Sequence, residues 1–197
     1  GQTRIKFLMG HLLEAVLIML TKAAGHSVEA EQEEVTVEGV LGHQDCIIDG
    51  VLTDIKSASS FAFKKFRDNK LTEDDPFGYI AQISAYATRR GDKEAAFFAI
   101  DKNSGELAIT KVHDLEMIDA NARVNYLKGI IDTDTPPPRC YNDVPDGKSG
   151  NRKLSTGCTY CGYKTKCWDN LRAFKYSNGV RILTHVAKTP DVEEVAV

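Results

Sequence analysis

Asp49-Gly50 lies between two β-branched runs, and that dipeptide constrains the fold more than any other feature of the sequence. A two-residue β-hairpin of the favoured twist needs positive φ at both central positions, and Asp-Gly is one of the few pairs that supplies it. Val35, Val37, Val40, Ile47 and Ile48 precede the dipeptide and Val51 and Ile55 follow it, so residues 33–57 read as strands. The turn then sets the register. Ile48 opposes Val51, Asp45 falls opposite Asp54, and His43 falls opposite Lys56. Cross-strand partners share a face, as do residues two apart on one strand. Asp45, Asp54 and Lys56 are therefore expected on one side, with Cys46 on the other as a core residue.

Two facing carboxylates repel unless positive charge sits between them. A divalent cation resolves this, because Mg2+ takes one or two carboxylates and completes its shell with water and phosphate. Lys56 beside it can orient water or stabilise charge growing on a phosphate. The plainer alternative is a solvent-facing hairpin whose acids and lysine form surface pairs. The first helix favours the metal. Glu14 interrupts the apolar run from Leu12 to Leu20, where a charge has little solvent to reach, and His11 lies one turn earlier on the same face. Either side chain can supply a further ligand.

The remaining pattern is of alternating helices and strands. Residues 5–24 read as a helix ending near Gly25, residues 58–70 as a short basic-aromatic helix, and residues 78–90 as a helix after Pro76. Residues 95–100 and 106–112 form a second hairpin around Asn103-Ser104-Gly105, and residues 114–128 a further helix. A proline-rich break at 133–138 then divides the chain. Residues 1–132 are expected as an α/β core, a mixed twisted sheet flanked by helices, and residues 133–197 as a small cysteine-bound appendage packed on it.

Composition narrows the functional classes. The 197 residues carry a net charge of -3, so any nucleic-acid surface must come from local clusters: Lys64, Lys65 and Arg67, or Arg89 and Arg90. These are expected as phosphate contacts only, while Phe61, Phe63 and Phe66 among them are more naturally core residues. No stretch reaches the roughly 18 apolar residues of a membrane span, and no leader-like layout opens the chain. Asp146-Gly147-Lys148-Ser149-Gly150 contains the Gly-Lys-Ser of a phosphate-binding loop, but position 142 is Asn and no apolar strand precedes it, so a nucleotide-triphosphate site is rejected. Three of the five cysteines crowd into Cys158, Cys161 and Cys167, a C-x2-C-x5-C run with Cys140 as the natural fourth. Such spacing suits thiolates around one metal centre in a reducing compartment, and ligand type alone leaves zinc and iron–sulfur both open.

Gly42-His43-Gln44-Asp45, then Asp54-Ile55-Lys56, then Gln82-Ile83-Ser84-Ala85-Tyr86, resembles the PD-(D/E)XK nuclease superfamily in its RecB-like and phage-exonuclease branches. Those branches share G-x-x-D, D-x-K and Q-x-x-x-Y in that order. Gly10-His11-Leu12-Leu13-Glu14 resembles their first-helix motif. The resemblance implies a restriction-endonuclease-like core, with Asp45, Asp54 and the carbonyl of Ile55 binding Mg2+ or Mn2+ and Lys56 as the catalytic lysine. Gln82 and Tyr86 would contact the lysine or the substrate backbone. His11 or Glu14 would join the metal shell, Glu14 being the one in the more apolar setting. It implies a metal-dependent deoxyribonuclease working from the ends of linear duplex or single-stranded DNA, in recombination, repair or phage replication. That would place it in the cytoplasm of a bacterial or phage-infected cell, with a recombination or replication partner. AddB-type and CRISPR-associated RecB-like nucleases carry a similar C-terminal cysteine run holding a 4Fe–4S cluster, which favours that cluster over zinc at Cys140, Cys158, Cys161 and Cys167. In those families the distant cysteine lies upstream of the nuclease motifs, whereas Cys140 lies downstream. A non-catalytic DNA-binding module organised by the cysteine centre is the alternative from another class, and an RNA nuclease on the same fold is a third.

Overall fold

The computed structural model describes residues 2–113, 116–133, 135 and 137–197. It divides into two compact units, Gly1–Asp134 and Thr135–Val197.

The first unit is mixed α/β. A long helix α1 (Gln2–Ala23) leads through β1 (Val28–Glu29) to the hairpin of β2 (Glu34–Val37) and β3 (Val40–His43), then to β4 (Cys46–Ile48) and β5 (Val51–Ala58). Two helices follow, α2 (Ser60–Arg67) and α3 (Tyr79–Arg90), then β6 (Glu94–Asp101), β7 (Leu107–His113) and α4 (Ala120–Ile131). The central sheet has the order β1-β4-β5-β6-β7. Its β5–β6 pair is parallel, which requires a long crossover, and α2 and α3 are that crossover; the other pairs are antiparallel.

Turn chemistry explains the hairpins. Asp49 (φ 48) and Gly50 (φ 82) both have positive φ, and the register is Ile48↔Val51, Ile47↔Leu52 and Cys46↔Thr53, as the dipeptide predicts. Glu38 (φ 49) and Gly39 (φ 76) make a second such turn between β2 and β3, which reading 33–57 as one strand region had not resolved. His43 therefore pairs with Glu34 on β2, not with Lys56. The β4–β5 ladder stops at Cys46, so Asp45 is the first residue beyond it. Residues 114–115 lie outside the described residues, and the helix expected over 114–128 is α4, starting at Ala120 where the Asp119 carboxylate accepts from Ala122 N.

Each face of the sheet has its own core. On one side Phe63 and Phe66 of α2 and Ile80, Ile83, Tyr86 and Ala87 of α3 pack on Leu52, Ala95, Phe97, Ala99 and Val112. Phe61, by contrast, is exposed. On the other side Leu17 and Ile18 of α1 meet Cys46 and Ile55. Leu12, Val16, Met19 and Leu20 of α1 are exposed, so the apolar run is not a buried one, and the packed face is the one carrying Glu14, Leu17, Ile18 and Thr21. Among the described residues no helix is long and apolar enough to cross a membrane.

The second unit contains a sheet that the sequence pattern did not announce. It is a five-stranded antiparallel sheet of order β12-β10-β11-β9-β8, built from β8 (Val144–Pro145), β9 (Arg152–Lys153), β10 (Arg172–Tyr176), β11 (Gly179–His185) and β12 (Glu194–Val195). Two short helices, α5 (Thr156–Tyr160) and α6 (Lys164–Cys167), carry the cysteine run between β9 and β10. Leu154, Ala173, Phe174 and Leu183 are buried. Three of the strands are two residues long, too short to show alternation in a sequence. The rejected phosphate loop is the turn between β8 and β9. There Asp146 is held by Arg181 at 3.1 Å and Lys153 at 3.2 Å.

Gly42 shows how tightly the β2–β3 hairpin meets α3. A Cβ there would lie 2.6 Å from the Tyr86 hydroxyl and 3.0 Å from its ring, and Tyr86 is itself buried in the core. Gly42→Ala should cost about 1–3 kcal/mol by overpacking. Tyr86→Phe, which removes the nearest atom, should recover part of that loss, as read by a double-mutant cycle in denaturant. Strict additivity of the two changes would show that the contact is not made.

Candidate active site

The site sits where β4 ends and β5 continues. Asp54 and Lys56 lie on the face of β5 that also carries Leu52 and Ala58, toward α2 and α3, while Ile55 points to α1. The Asp54 side chain is only 5% exposed and that of Lys56 20%, and Lys56 Nζ lies 2.5 Å from Asp54 Oδ2. Apart from this ion contact the buried Oδ2 accepts no hydrogen bond of regular geometry. Asp45, freed from the ladder, turns back to the strand edge, and its Oδ2 accepts from Ile55 N at 2.7 Å. A strand residue's N–H and C=O leave by the same edge, so the Ile55 carbonyl faces the side on which Asp45 sits.

Charge is concentrated and only partly balanced. Burial pushes the Asp54 carboxyl up to about 6, with Asp45 and Glu14 adding to the rise and Lys56 opposing it. Burial alone would lower Lys56, but Asp54, and then Asp45, outweigh it and hold the ammonium above its ordinary range. At neutral pH the pair is therefore ionised, and Lys56 is a fixed positive charge rather than a proton acceptor. Glu14 is raised by burial and then by Asp45, which places it within the same field. Its side chain is 16% exposed, against 78% for His11, whose Nδ1 is 3.9 Å from Glu14 Oε2. Of the two first-helix candidates, Glu14 is the one facing the strands.

On α3, the side chain against Lys56 is that of Tyr79, with Nζ 5.1 Å from the ring centre. Asp75 fixes this start of the helix by accepting from Tyr79 N at 2.9 Å and Ile80 N at 2.8 Å. Gln82 donates to the Tyr86 hydroxyl at 3.4 Å, so these two residues of one helical face meet each other. Tyr79 escaped the sequence reading although residues 79, 82 and 86 share one helical face, which was the available signal. Gln32 escaped it too. Its side chain donates to Glu14, and both border a cleft of about 630 Å3 with His11, Lys22 and Glu31.

The donor set suits a hard cation. Asp54 presents a buried carboxylate oxygen without a regular donor, and the negative charges of Asp45 and Glu14 nearby add to the demand for a cation. Among the described residues no group of three or more His, Cys, Asp or Glu side chains is placed to hold a metal ion, which applies to Asp45, Asp54 and Glu14 and to the four cysteines alike. Mg2+ needs no such group, since it binds through one or two carboxylates and retains waters.

The predicted DNA contacts occupy the last turns of α2 and α3, where cations also suit the helix dipole. Lys65 pairs with Asp74 at 2.5 Å, Arg67 with Asp68 at 2.9 Å and Arg90 with Asp92 at 2.6 Å, while Lys64 and Arg89 are exposed. In the second unit the cysteines are all free, with Cys140 exposed and Cys158, Cys161 and Cys167 half-buried. Tyr163 N points at Cys161 Sγ at 3.4 Å. Cys46 is fully buried, and burial followed by the Asp45 charge pushes its thiol up to about 12, in keeping with a core residue.

No family model matches the chain, and no curated protein matches it. A solved structure of the protein SSO0001 is similar at 18% identity and a TM-score of 0.48, covering 82% of this chain and 70% of that one. A likeness at that level carries no argument about the site.

Removing the ammonium leaves burial unopposed at Asp54. Lys56→Met should therefore move the Asp54 carboxyl above about 6, as read by carboxyl-carbon NMR titration. An unchanged or lower value would show that Lys56 does not hold the Asp54 charge.

Proposed function

We propose that this chain is a metal-dependent nuclease that hydrolyses DNA phosphodiester bonds, with a restriction-endonuclease-like core. The observation that carries the reading is the buried Asp54–Lys56 pair on β5, with Asp45 at the adjacent strand end and Glu14 within electrostatic reach of both. An ordinary surface hairpin has no reason to bury a carboxylate to 5% exposure beside two further acids.

Asp45 and Asp54 would hold Mg2+ or Mn2+, with Glu14 and the Ile55 carbonyl completing the protein's share of the shell. When bound, such a cation polarises the scissile phosphate and acidifies a coordinated water. The chain's own contribution is positional and electrostatic. Lys56 stays protonated, so it donates to the phosphate or to the attacking water and offsets negative charge as the phosphorus–oxygen bond breaks. Tyr79 covers the lysine stem from the α3 side. Lys64, Lys65, Arg67, Arg89 and Arg90 would meet backbone phosphates. Attack from DNA ends, in recombination or replication, is the mode that the motif order favours. Cys140, Cys158, Cys161 and Cys167 would hold a 4Fe–4S cluster, or zinc, in the second unit.

End-labelled linear DNA and closed circular DNA, each with Mg2+, Mn2+ or EDTA, test the activity. Shortening of the linear DNA should require metal, and Lys56→Ala or Asp54→Asn should lower the rate by about a hundredfold or more. Sparing of the circle would define an exonuclease. Wild type that binds DNA yet is as inert as the variants under every condition would overturn the reading in favour of a binding module. Elemental analysis of protein prepared without oxygen tests the second centre. About four iron atoms per chain, lost in Cys161→Ala, is the expected result; one zinc would select the alternative, and no bound metal would remove the centre.

A further inference from the structure

We propose that Gln32 is a positioning residue for the metal site, setting the orientation of Glu14 and its separation from Asp45. This rests on the nuclease reading above and adds to it a residue outside the motifs. Gln32 makes two contacts that no other described residue combines. Its side-chain amide donates to Glu14 Oε1, and its backbone N–H donates to the Asp45 carbonyl at 3.0 Å. One residue thus bridges two of the proposed carboxylate ligands, one on α1 and one at the strand end.

The loop that carries it is built to hold it there. Gln32 has φ 54 and Ala30 has φ 51, a left-handed conformation that costs a side-chain-bearing residue on the order of 1 kcal/mol or more. The loop is held to the strand side by Gln44 N donating to the Glu33 carbonyl at 3.0 Å, one residue before Asp45. It is held to α1 by Lys22, which reaches Glu31 at 2.5 Å. Strain at two consecutive alternate positions is retained where the loop is pinned on both sides.

The chemistry of the contact is suited to a ligand rather than to an ion pair. A carboxamide N–H fixes one oxygen of Glu14 without cancelling its charge, as a lysine or arginine would. The other oxygen, Oε2, lies 3.9 Å from His11 Nδ1, and Glu14, His11 and Gln32 all line the same cleft. Fixing one oxygen while leaving the other open is how groups outside a metal shell orient the ligands within it.

Gln32→Gly tests this without endangering the fold, because glycine accepts the positive φ and keeps the backbone N–H. Mn2+ alone is the probe, titrated by calorimetry against wild type, Gln32→Gly, Glu14→Gln and the double variant, with metal-free melting measured in parallel. Gln32→Gly should bind Mn2+ about ten- to a hundredfold more weakly. Its metal-free melting should match or exceed that of wild type, and it should add little further loss on top of Glu14→Gln. Wild-type affinity in Gln32→Gly, or losses that simply add in the double variant, would overturn the inference while leaving the metal site intact. Wild type that binds no Mn2+ would overturn the metal-site reading itself and this inference with it.

Discussion

A carboxylate and an ammonium 2.5 Å apart in the middle of a packed strand are expensive to bury, and the surroundings of β5 are arranged around that expense. The strand cannot bury the pair against purely apolar neighbours. On the Asp45 side the β4 ladder ends one residue early, which opens the edge and brings a polar group to Ile55 N. On the helical side Tyr79 lays a ring along Lys56. Removing either partner of such a pair strands a buried charge, typically at a cost of about 3–5 kcal/mol. The pair is thus a poor device for stability and a good one for holding charge where solvent would otherwise dissipate it.

Helix α1 carries apolar residues on both its packed and its open face. Gly10, Glu14, Leu17, Ile18 and Thr21 form the face against the strands, where Gly10 lies close enough to Ser57 that a Cβ would stand 3.8 Å from its hydroxyl. Leu12, Val16, Met19 and Leu20 form the open face. Glu14 lies on the packed face beside the buried Leu17 and Ile18, and Gln32 donates to its carboxylate there.

What could be read in the sequence was what local chemistry determines. The Asp49-Gly50 turn admits essentially one backbone geometry, so its register, and with it the neighbourhood of Asp45 and Asp54, followed from two residues. Cys46 as a core residue followed from alternation. The parts that escaped depend on distant contacts. No rule of spacing links Gln32 to Glu14 or Tyr79 to Lys56, because each pair meets only once the helices have docked. Glu38-Gly39 carried the same signal as Asp49-Gly50 in weaker form, since Glu tolerates positive φ less readily than Asp does. In the second unit the sheet depends on pairings between two-residue strands and on Asn151, whose amide donates to the Lys188 carbonyl and accepts from Lys188 N, both at 2.8 Å. Neither leaves a periodic trace.

The G-x-x-D and Q-x-x-x-Y motifs gain a physical connection from the structure. Gly42 lacks a side chain where the Tyr86 hydroxyl presses against β3, and Gln82 donates to that same hydroxyl. The contact locks the β2–β3 hairpin to α3. The same helix, started at Tyr79 by the Asp75 carboxylate, then places its first ring against Lys56. Asp45 follows Gly42 by three residues, so the docking that seats Tyr86 also constrains where Asp45 leaves the hairpin. A glycine and a tyrosine far apart in sequence thus couple the strand edge that carries one acid to the helix that covers the lysine, by packing alone.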